Sequence, residues 1–178
     1  MKRLLMGLPL LTLMACAGAE ITTPPVNIVP KDPRAAVGLD VYGRARAAGN
    51  PVPRFRGQDT VQVRTWGQGE KGRSELSGVP CILDSGVYTA KFSTPANVVV
   101  PDYGPNSPAL FVRCETETQS GSATVNTVNV TNQQRQAGAA GTGVLGAIII
   151  GAVAAAQTNP DKDDFDYPMI TVNLKKKD

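Results

Sequence analysis

Two cysteines on alternating strand patterns constrain the fold of this chain more than any other feature. Residues 78–115 contain three short apolar runs between turn residues, with Cys81 in the first run and Cys114 in the last. Apolar and polar side chains alternate around both cysteines, as in a strand that is buried on one face only. The alternation places each cysteine on the apolar side of its strand. The pattern therefore predicts a small β-sheet that the two cysteines staple together.

The N-terminal residues have the form of an export signal. Two basic residues precede an apolar run over residues 4–13, which is too short to span a bilayer. Leu13-Met14-Ala15-Cys16 follows and resembles a bacterial lipobox, in which signal peptidase II cuts before the cysteine and the cysteine is acylated. We predict that residues 1–15 are the signal peptide and that acylated Cys16 anchors the protein to membrane lipid. An ordinary signal peptide cleaved near Ala19 is the alternative.

The charge of the chain does not indicate a nucleic-acid partner. The formal net charge is +3, and cleavage before Cys16 would remove two of the 18 basic residues against 15 acidic ones. A mature chain this close to neutrality lacks the concentrated positive charge that phosphate contacts require. We therefore predict no nucleic-acid partner and a location in the bacterial cell envelope. Ala17, rather than an aspartate, follows the cysteine, which by resemblance to enteric sorting favours the outer membrane facing the periplasm.

The remaining cysteines form one pair in an oxidising compartment. We predict a disulfide between Cys81 and Cys114, which the chain-entropy model values at about 3–4 kcal/mol. The alternative, a thiol catalyst or a metal site, needs a neighbouring base or two more ligands. The sequence contains no histidine, which excludes Ser-His and Cys-His mechanisms and histidine-ligated metals. We predict that the protein is not an enzyme and holds no metal or cofactor.

Composition separates a predicted tether from a predicted folded domain. Residues 16–57 are rich in proline, glycine and arginine and contain few large apolar side chains, so they cannot bury enough surface to fold alone. We predict a disordered, flexible linker there and a β-domain over residues 58–178, with an insertion at residues 136–160. Trp66, at the end of the first predicted strand, is interpreted as a cap of the core, with a binding platform as the alternative.

An ordered set of motifs resembles the PEGA-like module of small Gram-negative envelope lipoproteins. The motifs are a strand with Cys81, the turn Asp84-Ser85-Gly86, a strand ending in Thr94-Pro95, Val98-Val99-Val100, Leu110-Phe111-Val112-Arg113-Cys114, a polar strand at residues 122–131, a Gly/Ala-rich insertion, and Asp166-Tyr167-Pro168 before a last strand. The resemblance covers about residues 78–174. It implies an all-β fold, a small antiparallel β-sandwich in the bacterial envelope, and brings no established activity.

The Gly/Ala-rich insertion carries a repeated small residue. Within residues 137–156, Gly143, Ala147, Gly151 and Ala155 recur every four positions, a spacing that lets helices approach closely. The segment is long enough to span a bilayer, but only six of its side chains are strongly hydrophobic, so insertion would be marginal. Three interpretations stay open: a buried or self-packing helical or hairpin insertion, a membrane-inserted or oligomerising segment, and a flexible loop.

Two further charged segments are interpreted as structural. The acidic run at residues 159–166 lacks the glycine and terminal glutamate of an EF-hand loop. We predict a solvated turn there, with a calcium site as the alternative. The lysines at residues 175–177 are predicted to protect an edge strand by charge, with lipid headgroup contact as the alternative.

Two functions of different classes follow from these features. In the first, the chain is a lipid-anchored envelope protein that acts as a structural or protein-binding module, without catalysis. In the second, it is a membrane-active subunit that self-associates through residues 143–155. The expected partners are membrane lipid through acylated Cys16, and either an envelope protein or a second copy of the chain.

Overall fold

The structure, a computed structural model, describes residues 20–70, 72–139 and 158–177 and is mostly β. The strands are β1 (Val26–Asn27), β2 (Val29–Pro30), β3 (Gly57–Gly69), β4 (Gly72–Leu76), β5 (Val79–Asp84), β6 (Tyr88–Thr94), β7 (Ala96–Asp102), β8 (Leu110–Glu115), β9 (Gln119–Val125), β10 (Val128–Asn129), β11 (Phe165–Asp166), β12 (Ile170–Asn173) and β13 (Lys175–Lys176). The described helices are α1 (Gly43–Ala47), α2 (Val130–Ala139) and a 3-10 turn at Gly104–Asn106.

The first sheet is built around the long strand β3. Its strand order is β1-β7-β3-β12, and β4 pairs with the second half of β3 as a hairpin. β7 lies antiparallel to the first half of β3, with Val61 opposite Val98. β12 runs parallel to β3 on the opposite side, with Ile170 opposite Val63, and β1 pairs parallel with β7. This sheet is therefore mixed, because the chain returns to β3 only after the insertion.

The second sheet has the order β13-β9-β8-β5-β6-β2, and all its neighbouring strands are antiparallel. β5 lies between β6 and β8, so that Cys81 faces Phe92 on one side and Cys114 on the other. The turn between β5 and β6 falls at Asp84-Ser85-Gly86, where Gly86 has a φ of 87°. Glycine adopts this left-handed conformation without a steric cost. The turn predicted there is confirmed.

Inward-facing side chains of both sheets form one buried cluster. Because successive side chains on a strand point to opposite faces, every second residue enters this core. Core residues from the central strands include Val61, Val63, Leu83, Ala90, Val98, Val100, Leu110, Val112, Ile170 and Val172. The predicted β-rich, antiparallel character of the fold is confirmed, and so is the alternation around the two cysteines.

The described part of the predicted linker belongs to the folded domain. Within residues 20–56, β1 pairs with β7 of the first sheet and β2 pairs with β6 of the second. Ile28 and Val41 are buried in the common core. The prediction of a disordered, flexible linker over residues 16–57 is wrong for these residues. Two-residue strand pairings and single buried side chains leave little trace in composition, which is why proline and glycine dominated the prediction.

A hydrogen-bonded network holds this N-terminal segment against the sheets. The Tyr103 hydroxyl donates to Asp40 Oδ1 at 3.0 Å and accepts from the Val41 amide at 2.9 Å. Arg46 adds a contact from Nε to Asp40 Oδ2 at 3.1 Å. The ring of Tyr42 packs edge-on against that of Tyr103, with centroids 5.2 Å apart. Buried polar atoms therefore pair with each other across 60 residues of sequence, which orients the segment.

A short two-stranded ribbon, which we call the stem, begins and ends the insertion. It consists of β10 and β11, paired antiparallel with Asn129 opposite Phe165. α2 follows β10 directly, and the Val130 amide donates to the Asp164 carbonyl at 2.9 Å. The chain therefore leaves the domain and returns to it at neighbouring points. No helix within the described ranges has the length and apolarity needed to cross a membrane.

Candidate functional site

The disulfide brings together the two predicted bridge residues. Cys81 and Cys114 lie directly opposite each other on β5 and β8, with Cα atoms 4.1 Å apart and an S–S bond. Both are buried. The disulfide prediction is confirmed. A buried, oxidised pair in the sheet has a structural role, because nucleophilic chemistry requires an accessible thiolate.

The outer face of the second sheet carries large exposed apolar side chains. Ile82 of β5 and Phe111 of β8 are 48% and 44% exposed. Val29 of the edge strand β2 lies on the same face, because strand register connects it through β6 and β5 to Phe111. These residues occupy the outward positions of strands whose inward positions form the core. Grouped apolar side chains at such positions are typical of an interaction surface.

Cations stand on both sides of Ile82. Lys91 of β6 and Arg113 of β8 are its partners in strand register, so a cation–apolar–cation row crosses three strands. A groove of about 680 Å³ lies over this row, and Pro80, Ser93 and Glu115 are also among its lining residues. Arg113 contacts Glu115 at 3.2 Å, but both side chains are exposed, and such pairs contribute little. We call this surface the Ile82 groove.

A second site is a polar cavity between the first sheet and the stem. It has a volume of about 340 Å³ and is lined by Arg56, Asp59, Asp102, Val130, Asp164, Phe165 and Asp166. Burial, together with the negative charges of Asp102 and Asp166, raises the pKa of Asp59 to about 7. Its Oδ2 atom is buried without a hydrogen-bond partner. Three elements that are distant in sequence thus bring carboxyl groups to one cavity.

Arg56 connects the body of the domain to the returning chain. Its Nη1 donates to the Asp163 carbonyl at 3.0 Å, and its Nη2 donates to the Pro160 carbonyl. The guanidinium carbon lies 5.9 Å from the centroid of the Phe165 ring. The Nε atom is buried without a hydrogen-bond partner. The described hydrogen bonds of Arg56 therefore go to backbone carbonyls of residues 160–163 and not to Asp59.

The acidic run after the insertion is only partly solvated. Asp163 is 1% exposed, and its carboxylate accepts hydrogen bonds from the Asn129 side chain, the Asn159 amide and Arg135. The Asn129 contact is the largest cause that lowers the pKa of Asp163, and burial opposes it. The predicted solvated turn is wrong for this residue. A lone aspartate flanked by Lys162 and Asp164 carries no sequence signal of burial, because its partners come from the other side of the insertion.

The other predicted features are placed as follows. Trp66 is 38% exposed, on the outer side of β3 opposite Glu75 and Asn173, so it does not cap the core. Lys175 and Lys176 form the edge strand β13, next to β9. Cys16 and the repeat of small residues at Gly143, Ala147, Gly151 and Ala155 lie outside the described residues.

The Asp59 cavity escaped prediction because its members are isolated in sequence. Asp59, Asp102 and Asp166 occur in three separate segments, and none belongs to a recognised motif. Across residues 20–70, 72–139 and 158–177, no group of three or more His, Cys, Asp or Glu side chains has the arrangement of a metal site. Comparison of this chain with family models, curated proteins and solved structures finds no match.

Proposed function

We propose that this protein is a lipid-anchored module of the bacterial cell envelope that binds another envelope protein and has no catalytic activity. The observation that carries the binding function is the Ile82 groove, where an apolar row lies between cations on an uncovered sheet face. The Leu13–Cys16 motif behind a basic, apolar leader supports the anchor. A buried disulfide is what an oxidising compartment permits.

We also propose that the two sheets form a PEGA-like β-sandwich with a Gly/Ala-rich insertion. The order of the motifs between residues 78 and 174 supports this assignment. The single buried cluster shared by both sheets is in keeping with it. The mixed pairing of the first sheet departs from a purely antiparallel sandwich, because β12 and β1 both run parallel to their neighbours.

The chemistry of the Ile82 groove selects an acidic partner. Lys91 is exposed, with no salt bridge or hydrogen bond to another described residue, and Arg113 is 63% exposed. A partner segment with an apolar side chain between Asp or Glu residues would bury Ile82 and meet both cations. Apolar burial supplies the affinity, and charge complementarity orients the partner and speeds association. We therefore assign an acidic protein segment as the occupant of the groove.

Photo-crosslinking in intact cells tests this assignment. A photoreactive amino acid at Ser93, which lines the groove, should capture one envelope protein. Ile82→Asp and Lys91→Glu should each reduce the adduct by at least about tenfold, because one lost apolar contact is worth more than 1.4 kcal/mol. Met169→Asp is the matched control, since Met169 is equally exposed but precedes β12 in the other sheet. In the same cells, Cys16→Ser should release the protein from the membrane fraction.

Mapping the crosslinked peptide completes the test. We expect an apolar residue flanked by acidic residues at the contact. An adduct that both groove variants leave unchanged would overturn the assignment. Capture of lipid, of a second copy of this chain, or of a basic segment would overturn it as well. Retention of Cys16→Ser in the membrane fraction with an unchanged mass would overturn the lipid anchor.

A second candidate function is self-association through the insertion. The observation that favours it is the stem, because a paired base presents the intervening residues as one projection from the domain. The four-residue repeat of Gly143, Ala147, Gly151 and Ala155 is the sequence pattern of closely packed helices. In this case the subunit would assemble, or enter a membrane, through residues 143–155 rather than through the Ile82 groove.

A further inference from the structure

The carboxyl groups around the polar cavity differ in their hydrogen-bond donors. Asp102 Oδ1 accepts from the Gly104 amide at 2.6 Å, and Asp166 Oδ1 accepts from the Tyr167 amide at 2.7 Å. Asp59 has no donor of this kind among the described residues, and its Oδ2 is buried. Donors stabilise the charged form of a carboxylate, whereas burial beside other carboxylates disfavours it. Asp59 is therefore the member of the cluster that holds a proton most strongly.

The groups that face Asp59 come from every element around the cavity. Those that carry charge or titrate are Asp102 at the end of β7, Asp164 and Asp166 of the returning chain, Tyr167 after β11, and Arg56 before β3. Burial, more than any other cause, raises the pKa of Tyr167 to about 12, so this hydroxyl stays neutral at physiological pH. The described hydrogen bonds of Arg56 go to backbone carbonyls. Arg56 is thus the cation of the cavity but is not the partner of Asp59.

We propose that Asp59, Asp102 and Asp166 form a proton-operated latch between the first sheet and the stem. With Asp59 protonated, the carboxyl group contacts the β11 side of the cavity without repulsion, and the stem stays docked. Ionisation of Asp59 places a third negative charge beside Asp102 on the sheet and Asp166 on the stem. The stem is the weaker side of this contact, since each of its strands has two residues. Loosening therefore occurs there and not in the sheets.

The direction of the pH response follows from the protonation state. Because the pKa of Asp59 is raised to about 7, the proton is held below that pH and lost above it. The stem is accordingly docked in mildly acidic conditions and loosens as the pH rises through about 7. The change concerns the described strands β10 and β11 and the first turn of α2, which together form the entrance and the exit of the insertion. The latch is independent of the Ile82 groove, which lies on the other sheet.

Hydrogen exchange of the full-length chain at pH 5.5 and 8.5 tests the latch. The observed exchange rates are divided by the intrinsic rates at each pH, so that only changes in protection remain. The Val130 amide, which bonds to Asp164, and the amides of β10 and β11 are the reporters. In the wild type their protection should fall by about tenfold at the higher pH. This is far less than the full pKa shift would allow at one decade per unit, because the cavity is open to solvent.

Three aspartate-to-asparagine variants decide the outcome. Asp59→Asn should keep the stem protected at both pH values, and Asp166→Asn should move the change to higher pH without needing an intact Asp59 substitution to fold. Asp161→Asn is the matched control, because Asp161 is exposed on the same returning chain but does not line the cavity. Protection that does not depend on pH in the wild type, or a loss that persists in Asp59→Asn, would overturn the proposal. Amides of β8 and β9 should stay protected throughout.

Discussion

Asp40 and Asp59 are both withdrawn from solvent, yet their pKa values shift in opposite directions. Burial disfavours the ionised form of each carboxyl group, and it is the largest single influence on Asp40. Hydrogen bonds from Arg46, the Tyr42 amide and the Tyr103 hydroxyl together outweigh it and lower the pKa of Asp40. Asp59 receives no such bonds and faces other carboxylates, so its pKa rises. The number of donors, rather than the depth of burial, decides the charge state.

The Tyr103 hydroxyl should therefore be worth measurable stability. Tyr103→Phe removes the donor to Asp40 and leaves the Val41 amide without its buried acceptor, which should lower the free energy of unfolding by about 1–3 kcal/mol. Urea unfolding at pH 7 measures the loss. Tyr42→Phe is the matched control, because the structure describes a ring contact but no hydrogen bond for its hydroxyl. Equal stability of Tyr103→Phe and Tyr42→Phe would contradict the network.

The same variant has a signed pH dependence. A carboxyl group with a lowered folded-state pKa adds stability above its unfolded pKa and loses it as the pH falls through the folded value. Below that range Asp40 is protonated with or without Tyr103. The difference in unfolding free energy between the wild type and Tyr103→Phe should therefore narrow in acid. A difference that is constant from pH 7 down to the acid limb would contradict the role of Asp40.

At the scale of elements, β5 carries the second sheet. It pairs with β6 and β8 over most of its length, and its inward side chains alternate Val79, Cys81 and Leu83 into the core. The disulfide links it to β8 at the point where the strands already pair. Sheet and bridge therefore restrain the same contact, and the covalent part restricts the unfolded chain more than it reshapes the native one.

Loss of the bridge should be costly in two separable ways. Cys81→Ser opens the loop, at about 3–4 kcal/mol, and buries a hydroxyl, at about 1–3 kcal/mol more if the hydroxyl finds no partner. The double variant Cys81→Ala with Cys114→Ala loses the loop closure without the buried hydroxyl. We expect melting temperatures in the order wild type, double variant, Cys81→Ser. Equal melting of all three proteins, or free thiols at both positions in protein isolated from cells, would contradict a stabilising bridge.

At the scale of the whole molecule, the domain separates a rigid double sheet from a projection on a narrow base. The described residues on both sides of the insertion meet at β10 and β11, and Arg56 and Asp163 fasten this base. Substitutions inside the insertion should therefore leave the sheets folded. The two candidate functions can then be separated, because the Ile82 groove and residues 143–155 occupy different parts of the chain.

Leucine substitutions on the small-residue repeat test self-association. If residues 143–155 pack against a second copy, Gly143→Leu and Gly151→Leu should each lower the oligomer mass measured by light scattering, since a large side chain keeps helices apart. Gly146→Leu is the matched control, because it lies off the four-residue repeat. Circular dichroism should be the same for all three variants. Equal oligomer masses for the wild type, Gly143→Leu and Gly151→Leu would rule out this mode of assembly.

The sequence by itself determined the local and periodic features of this protein. The alternation around Cys81 and Cys114 predicted two strands with inward cysteines, and the turn residues between them predicted where the chain reverses. Both predictions are confirmed, because side-chain alternation is a property of the strand backbone itself and is written in consecutive residues. The pairing of the two cysteines also followed, once Cys16 was assigned elsewhere.

Only the tertiary structure decided which isolated residues meet. Ile28 and Val41 join the core from a segment that composition marks as a linker, and Asp59 meets Asp102 and Asp166 from separate elements. The burial of a side chain and the field of other charges are sums over neighbours in space, and consecutive residues do not record them. Identical aspartates therefore ended as a hydrogen-bonded anchor at Asp40 and as a protonated latch at Asp59, because the fold supplied donors to one and carboxylates to the other.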